Sequence, residues 1–226
     1  MRRAIRYTPV VIETPQPAPV FCMTGSIVTG CFVSRLVNVE AGLLRARGVD
    51  VAAIELGDLD LPVFHERLER DGLPEGVVAL KHLLRSARVI VVGAPELNDG
   101  PTSVLKNAID WASRPGPGEQ HRGESFAGAS AAIISASKHV HAGIRGADML
   151  RGCLTSLGVT VMPEQVAVAR APEAFREGHL VDPYAEQDLA TLCDAIVAEL
   201  AIPRREVHQM TWAERAALVP DRGSGT

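Results

Sequence analysis

The chain has 226 residues, of which 46% are hydrophobic and 22% are charged, the composition of an ordinary soluble globular protein. Its formal net charge is −4, and this mild acidity argues against nucleic acid as a main partner, because nucleic-acid-binding proteins usually carry a basic face. No run of about 18 apolar residues occurs, so the sequence predicts no membrane span.

Residues 1–18 are rich in proline and threonine and show no clear period, which predicts an extended N-terminal arm. The chain starts with Met1-Arg2-Arg3, but no apolar segment follows. We therefore expect no signal peptide and a cytoplasmic protein. The four cysteines are scattered and form no CxxC pair, which favours reduced thiols over a zinc site.

Apolar runs predict five buried strands, and amphipathic stretches between them predict five helices. The predicted strands are 20–23, 51–56, 89–94, 127–136 and a broken fifth strand made of 159–162 and 166–168. The predicted helices are 31–47, 74–86, 103–113, 142–157 and 184–200. Strands that alternate with helices predict a parallel sheet with right-handed crossovers. We expect an α/β three-layer sandwich with the flavodoxin-like strand order 2-1-3-4-5.

These elements predict one domain over residues 19–201 and a C-terminal extension over 202–226. The extension contains Pro203 and Pro220 and has a Gly-Ser-Gly segment near its end. We expect a short helix near Trp212, followed by disorder.

The loop between the first predicted strand and helix reads GSIVTGCF, residues 25–32. Amides at a helix N-terminus carry a partial positive charge and bind phosphate without Lys or Arg. Serine and threonine hydroxyls add donors, and glycine lets the backbone approach a ligand closely. The loop therefore predicts an anion cradle made of Gly25, Ser26, Thr29, Gly30, Cys31 and Phe32.

Three other interpretations of this loop can be tested on its letters. A Walker P-loop needs Lys and Ser or Thr after the second glycine, where this chain has Cys31-Phe32. A dinucleotide fingerprint needs GxGxxG, which Ile27 breaks at the third position. A plain strand-to-helix turn that binds nothing stays open.

A second loop, residues 95–100, follows the third predicted strand. In the expected sheet the first and third strands are neighbours, and their C-terminal ends open the crevice in which such sheets bind ligands. We expect this loop to offer the polar edge of a flat heterocycle its backbone groups and one side-chain amide, from Pro95, Glu96, Leu97 and Asn98. In the helix that follows, Lys106, Asn107, Asp110 and Trp111 are interpreted as capping and packing residues.

A third loop, residues 135–143, follows the fourth predicted strand at the same edge. Ser135 and Ser137 are candidate hydrogen-bond donors, Lys138 brings a positive charge, and His139 completes the candidate set. A solvated histidine pair is the alternative interpretation of His139 and His141. No metal site is predicted, because His-x-His supplies only two ligands.

Together these segments resemble the NADPH-dependent FMN reductase family, which includes quinone, azo-dye and chromate reductases. The resemblance covers roughly residues 19–200. Its most specific part is PELNDG running into VLKNAIDW at residues 95–111, which is similar to the family's PEYNGS…LKNAIDW segment. The first loop is similar to the family's GSxRxxSxN loop, the third to its SASxGxxGG loop, and residues 60–64 to its DLPLY-type loop.

The resemblance implies FMN bound at the sheet edge, close to a homodimer interface; a homotetramer is the alternative. It also implies hydride delivery from NADPH, or NADH, to the flavin, after which a flavin, quinone or similar small acceptor enters the same pocket. The flavin carries that chemistry, so no side chain is implied as a catalytic acid or base.

Four positions depart from the family pattern. Val28 replaces an arginine, Cys31 a serine, Leu97 a tyrosine, and His139 a glycine. The arginine's charge-assisted bond to phosphate contributes on the order of 2 kcal/mol, which Val28 cannot supply. His139 puts a side chain where the flavin or nicotinamide ring would have room.

The sequence thus leads to an FMN-dependent NAD(P)H oxidoreductase. The alternative is a non-redox or repurposed flavodoxin-like protein that binds FMN or another ligand with weakened or absent reductase activity. A flavodoxin-type electron carrier is disfavoured, because such carriers need a strongly acidic face and this chain has a net charge of only −4.

Overall fold

The structure is a computed structural model that describes residues 15–28 and 30–203. A parallel sheet of five strands forms its centre. The strands are β1 (Val20–Thr24), β2 (Val51–Glu55), β3 (Val89–Gly93), β4 (Ser130–Ala136) and β5 (Thr160–Val168). They lie in the order β2-β1-β3-β4-β5, which confirms the predicted flavodoxin-like arrangement.

Five long helices cover the sheet. They are α1 (Phe32–Ala46), α2 (Glu75–Ser86), α3 (Ser103–Ser113), α4 (Ile144–Thr155) and α5 (Pro183–Ala201). Gly48 follows the end of α1 with φ +78°, a left-handed conformation that glycine adopts without strain. At the start of α5, the carboxylate of Asp182 accepts hydrogen bonds from the amides of Tyr184 and Ala185.

The alternation of side chains along each strand divides the core into two layers. Phe21 and Met23 face the layer that holds α2, α3 and α4. Val20 and Cys22 face the opposite layer, which holds α1 and α5. Because both faces of the sheet are covered, the central strands are predominantly apolar, as is typical of parallel strands.

Several short elements were not predicted from the sequence. They are the helices Glu66–Arg70 and Ala171–Ala174, the 3-10 turns Leu56–Leu59 and Glu124–Phe126, and two small hairpins that pair Glu96–Leu97 with Gly100–Pro101 and Phe175–Arg176 with His179–Leu180. Each is only two to five residues long, too short to produce a periodic pattern.

Two strand predictions need correction. The fifth strand is continuous: β5 runs over nine residues and includes Pro163. Its register with β4 shifts between Ala131 and Ile133, and Pro163 is tolerated because β5 lies at the sheet edge. The fourth strand starts at Ser130 rather than 127, since the chain still turns where the Ala129 amide donates to the Phe126 carbonyl.

Most of the two terminal segments predicted from the sequence, namely residues 1–14 of the arm and 204–226 of the extension, lies outside the described residues. The predicted helix near Trp212 falls there too, and the domain boundaries stay a prediction. Within residues 15–28 and 30–203, no helix is long and apolar enough to cross a membrane.

Candidate active site

The first and second loops meet at the C-terminal edge of the sheet. The amide of Gly25, directly after β1, donates to the carbonyl of Gly93 at the end of β3, with 2.9 Å between N and O. The hydroxyl of Thr102 donates to the Gly25 carbonyl at 2.6 Å and accepts from the Leu105 amide, which caps α3. The N-terminus of α3 is thereby tied to the first loop.

Gly25 is required by close packing at this junction. A Cβ atom at Gly25 would lie 2.7 Å from the Cβ of Leu105, closer than real side chains approach. Any larger residue would push the first loop away from α3, so the sequence places glycine where the two segments touch.

The described middle of the first loop, residues 26–28 and 30, is half-buried or exposed. The Ser26 hydroxyl accepts from the Val28 amide at 3.0 Å, a local turn that keeps the backbone curved. The side chains of Ile27 and Val28 are 70% and 63% exposed. Thr29 lies outside the described residues, so its predicted role is untested. Gly30 has φ +69° and leads into Cys31, the N-cap residue of α1.

Two charged side chains that the sequence analysis missed contact Gly30. The carboxylate of Glu55 accepts from the Gly30 amide at 3.4 Å, and the Nε of Arg35 donates to the Gly30 carbonyl at 2.9 Å. Arg35 also lies over the rings of Phe32 and Phe175, its Cζ 5.6 and 5.8 Å from their centroids. Glu55 was predictable in principle, because the expected order places the end of β2 beside β1.

Cys31 does not behave as a capping residue, because no side-chain hydrogen bond closes the start of α1. Its sulfur instead lies 3.2 Å from the hydroxyl of Ser34. The first-turn amides of α1 therefore keep free hydrogen-bonding capacity toward the loop.

The second loop is a hairpin rather than an irregular segment. Its turn residues Asn98 and Asp99 have φ values of +53° and +60°, the combination of a tight type I′ turn. Glu96 anchors the hairpin, because its carboxylate accepts from the Gly146 amide in α4 at 2.9 Å. Leu97 is 61% exposed beside it.

The third loop meets the second at Gly143, which has φ +80°. A Cβ there would lie 3.2 Å from the Cβ of Ser135 and 3.7 Å from the Cβ of Glu96. These contacts join the end of β4, the hairpin and the start of α4. The structure thus brings all three loops together at one edge, as the strand order predicted.

Ser135 is the most informative residue of the third loop. Its side chain is fully buried, yet its hydroxyl has no hydrogen-bond partner among the described residues. A buried polar atom without a partner costs free energy, so a ligand that accepts a hydrogen bond from this hydroxyl would offset that cost. By contrast, the Ser137 hydroxyl accepts from the His139 amide at 3.2 Å, while Lys138, His139 and His141 are exposed.

Residues 62–64, which follow β2 and its 3-10 turn, are hydrogen-bonded to side chains of α3. The indole of Trp111 and the amide of Asn107 both donate to the Pro62 carbonyl, at 2.7 and 3.0 Å. Asn107 also accepts from the Phe64 amide at 2.8 Å. Trp111 is fully buried, which confirms its interpretation as a packing residue.

The site fits a flavin mononucleotide better than a metal ion. Its first loop presents backbone amides to an anion, and its third loop presents a buried hydroxyl with nothing to donate to. The described residues contain no group of three or more His, Cys, Asp or Glu side chains that is placed to hold a metal.

The model of one protein family, the NADPH-dependent FMN reductases, matches residues 19–173. The chain belongs to this family. Membership confirms the resemblance predicted from the sequence, and with it an oxidoreductase that uses FMN and a nicotinamide cofactor. The match spans all three loops of the site and ends just before the hairpin that carries Phe175.

Individual relatives agree with this assignment. An NAD(P)H-dependent FMN reductase of Pseudomonas aeruginosa is 32% identical over 168 residues, covering 73% of this chain and 85% of its own. A 2-hydroxy-1,4-benzoquinone reductase of a Burkholderia species is 30% identical over 179 residues, covering 78% and 92%. Among solved structures, FerB of Paracoccus denitrificans, a flavoenzyme NAD(P)H:(acceptor) oxidoreductase, superposes with a TM-score of 0.67 at 27% identity, covering 81% and 97%.

Proposed function

We propose that this FMN reductase family member transfers a hydride from NAD(P)H, through bound FMN, to a flavin, a quinone or a similar conjugated acceptor. The meeting of three loops at one edge of the sheet carries the proposal, together with the Ser135 hydroxyl, which has no partner among the described residues. The relatives named for FMN and for a benzoquinone support the two acceptor classes. FMN supplies the hydride chemistry when bound, so the protein's task is binding and orientation.

The first loop is the proposed binding segment for the phosphate. The N-terminus of α1, which this loop leads into, carries partial positive charge and has no side-chain cap, and the Ser26 hydroxyl lies in the same loop. We assign the phosphate end to Gly25, Ser26, Thr29, Gly30, Cys31 and Phe32.

The second and third loops are the proposed binding segments for the ring. The hairpin is held rigid by the bond from Gly146 to Glu96, which fixes the backbone groups at its base. Ser135 is buried, and its hydroxyl has a proton to donate and no acceptor among the described residues. We assign the ring end to Pro95, Glu96, Leu97, Asn98, Ser135, Ser137, Lys138 and His139, and we assign none of them a catalytic proton transfer.

A second copy of the chain is the proposed partner. Leu97 and Met149 are 61% and 57% exposed, and Gly100 of the hairpin lies against the sulfur of Met149. An exposed apolar patch of this kind is typical of an interface with another protein. We infer a cytoplasmic homodimer or homotetramer whose interface borders the site.

The visible absorption spectrum tests the proposed function directly. We expect the purified protein, supplied with FMN, to show flavin absorption that bleaches when NADPH or NADH is added without air and returns when a quinone is added. A colourless protein that ignores a large excess of FMN would contradict the proposal. FMN binding without bleaching would favour the non-redox alternative.

Ser135→Ala sharpens this experiment. Because the variant removes an unpartnered buried hydroxyl, the ligand-free protein should be more stable by about 1 kcal/mol. Loss of the donor should weaken FMN binding by about fivefold. Ser156→Ala is the matched control, because the Ser156 hydroxyl donates to the Cys153 carbonyl on the exposed surface at the far end of α4 and should leave FMN affinity unchanged. A structural role for Ser135 would lower stability and affinity together.

A further inference from the structure

Two side chains of opposite charge, Glu55 and Arg35, contact the backbone of Gly30 in the first loop. Its N–H donates to the carboxylate of Glu55, and its carbonyl accepts from Arg35. Gly30 directly precedes Cys31, the N-cap residue of α1. The N–H bonded to Glu55 therefore belongs to the loop backbone just before the first-turn amides of α1, next to the place where an anion would bind at this helix start.

Glu55 is held in this position by the sheet. It is the last residue of β2, paired in register with Thr24 at the end of β1, and its side chain is half-buried. Its negative charge therefore lies beside the loop that is proposed to receive a phosphate. The Glu55 carboxylate and a phosphate bound in this loop would repel each other, most strongly where solvent screening is incomplete.

Arg35 supplies the opposite charge from the first turns of α1. Its guanidinium is positioned by the Gly30 carbonyl and by the rings of Phe32 and Phe175, the latter only 8% exposed. Among the described residues no carboxylate forms an ion pair with Arg35, and the first loop itself contains no Lys or Arg. The two terminal –NH₂ groups of Arg35 thus stay available to an anion.

We propose that Arg35 and Glu55 together set how strongly this site discriminates FMN from the same flavin without phosphate. Arg35 favours the phosphate by attraction. Glu55 opposes it, because it bears a like charge and occupies the Gly30 amide. This inference rests on the proposed function, since it concerns the phosphate end of that same site. Because Glu55 opposes phosphate binding, we expect FMN to be a readily exchanged ligand rather than a permanently bound one.

Fluorescence titrations with FMN and with riboflavin test this inference, because riboflavin lacks only the phosphate. Glu55→Gln should tighten FMN binding by about fivefold and leave riboflavin binding unchanged. Arg35→Gln should weaken FMN binding by about tenfold, again without effect on riboflavin. Both substitutions are on accessible side chains, so near-native thermal unfolding should accompany them.

Two matched controls change the same charges at the opposite end of the same elements. Asp50→Asn lies just before β2 and Arg45→Gln lies near the end of α1, and both should leave the ratio of riboflavin to FMN dissociation constants unchanged. If flavin binds but Glu55→Gln and Arg35→Gln leave that ratio as in the wild type, this inference is wrong and the proposed function stands. If neither flavin binds to any of these proteins, both are wrong.

Discussion

Each layer of helices buries one charged side chain on its apolar stripe, and the two differ in whether the charge has a partner. Lys81 of α2 is 1% exposed, and its ammonium contacts Glu119 at 2.7 Å and donates to the carbonyls of Ala112 and Arg114. Glu40 of α1 is fully buried, and neither of its carboxylate oxygens has a hydrogen-bond partner among the described residues.

The presence or absence of a partner determines which of the two carboxylates, Glu40 or Glu119, is ionised in the folded protein. Burial raises the pKa of Glu40 to about 8, and the nearby Arg47 offsets only part of that effect. Burial alone would also raise the pKa of Glu119, but hydrogen bonds from Lys81 and Ser125 outweigh it and hold that pKa below its ordinary value. A paired buried carboxylate therefore stays ionised at neutral pH, whereas the unpaired one keeps its proton.

Glu119, the carboxylate paired with Lys81, also links three segments of the structure. Glu119 accepts from the Gly116 amide at 2.8 Å and from the Ser125 hydroxyl at 2.6 Å. Together with Lys81 it fastens the connection between α3 and β4 to α2. Glu40 makes no such side-chain bond to the described residues. Burial, with a smaller contribution from Glu40, raises the pKa of the neighbouring Cys22 thiol to about 12.

Removing the partner of Glu119 should have the largest effect. Lys81→Met keeps most of the side-chain volume but leaves the buried carboxylate of Glu119 with only the more distant guanidinium of Arg85, 3.7 Å away, as a cationic partner among the described residues. We expect a loss of about 3–5 kcal/mol in the free energy of unfolding. Urea denaturation at pH 7 measures it. Lys106→Met is the matched control, because Lys106 pairs with Asp110 on the surface of α3 and its loss should cost less than about 0.5 kcal/mol. Equal losses in the two variants would contradict the comparison.

Glu40→Gln should have the next largest effect, and its sign depends on pH. Below the ordinary carboxyl pKa of 4.5, folded and unfolded chains both hold the proton. Between 4.5 and about 8 only the unfolded chain releases it, so each pH unit costs the folded wild type up to about 1.4 kcal/mol. The variant lacks this loss, so its advantage in unfolding free energy should grow from pH 5 to pH 8.

Thermal or urea unfolding at several pH values between 5 and 8 measures that growing advantage. Glu186→Gln, on the exposed face of α5, is the control and should follow the wild type at every pH. Parallel pH profiles for Glu40→Gln and the wild type would show that Glu40 ionises equally in both states.

Both buried charges carried the same sequence signal. Lys81 lies four residues after Val77 and three before Leu84, and Glu40 lies four residues after Leu36 and three after Val37, so each falls on the apolar face of its helix. Helical periodicity therefore predicts that each is buried. It cannot predict which has a partner, because Glu119 lies far along the chain in a connection without periodic pattern.

The same limit separates what could be predicted of the site from what could not. The strand order followed from apolar runs and fixed which loops meet, and LKNAIDW identified the family. The strand order also placed Glu55 near the first loop, but it did not specify the bond to the Gly30 amide. The position of Arg35 could not be predicted, since Arg35 and Phe175 meet across 140 residues. Local patterns predict elements, whereas these contacts depend on tertiary packing.

Neutralising both partners of the buried pair should have the smallest net effect. In Lys81→Met combined with Glu119→Gln neither buried charge of the pair remains, and the partly exposed Arg85 loses only a contact of 3.7 Å. The amide oxygen of glutamine still accepts from Gly116 or Ser125. The carbonyls of Ala112 and Arg114 lose a donor, so we expect a residual cost of about 1–2 kcal/mol, well below that of Lys81→Met alone. A double-mutant cycle in urea measures this coupling. If the double variant were as unstable as the single one, the cost of Lys81→Met would come from lost packing and carbonyl bonds, not from the stranded charge of Glu119.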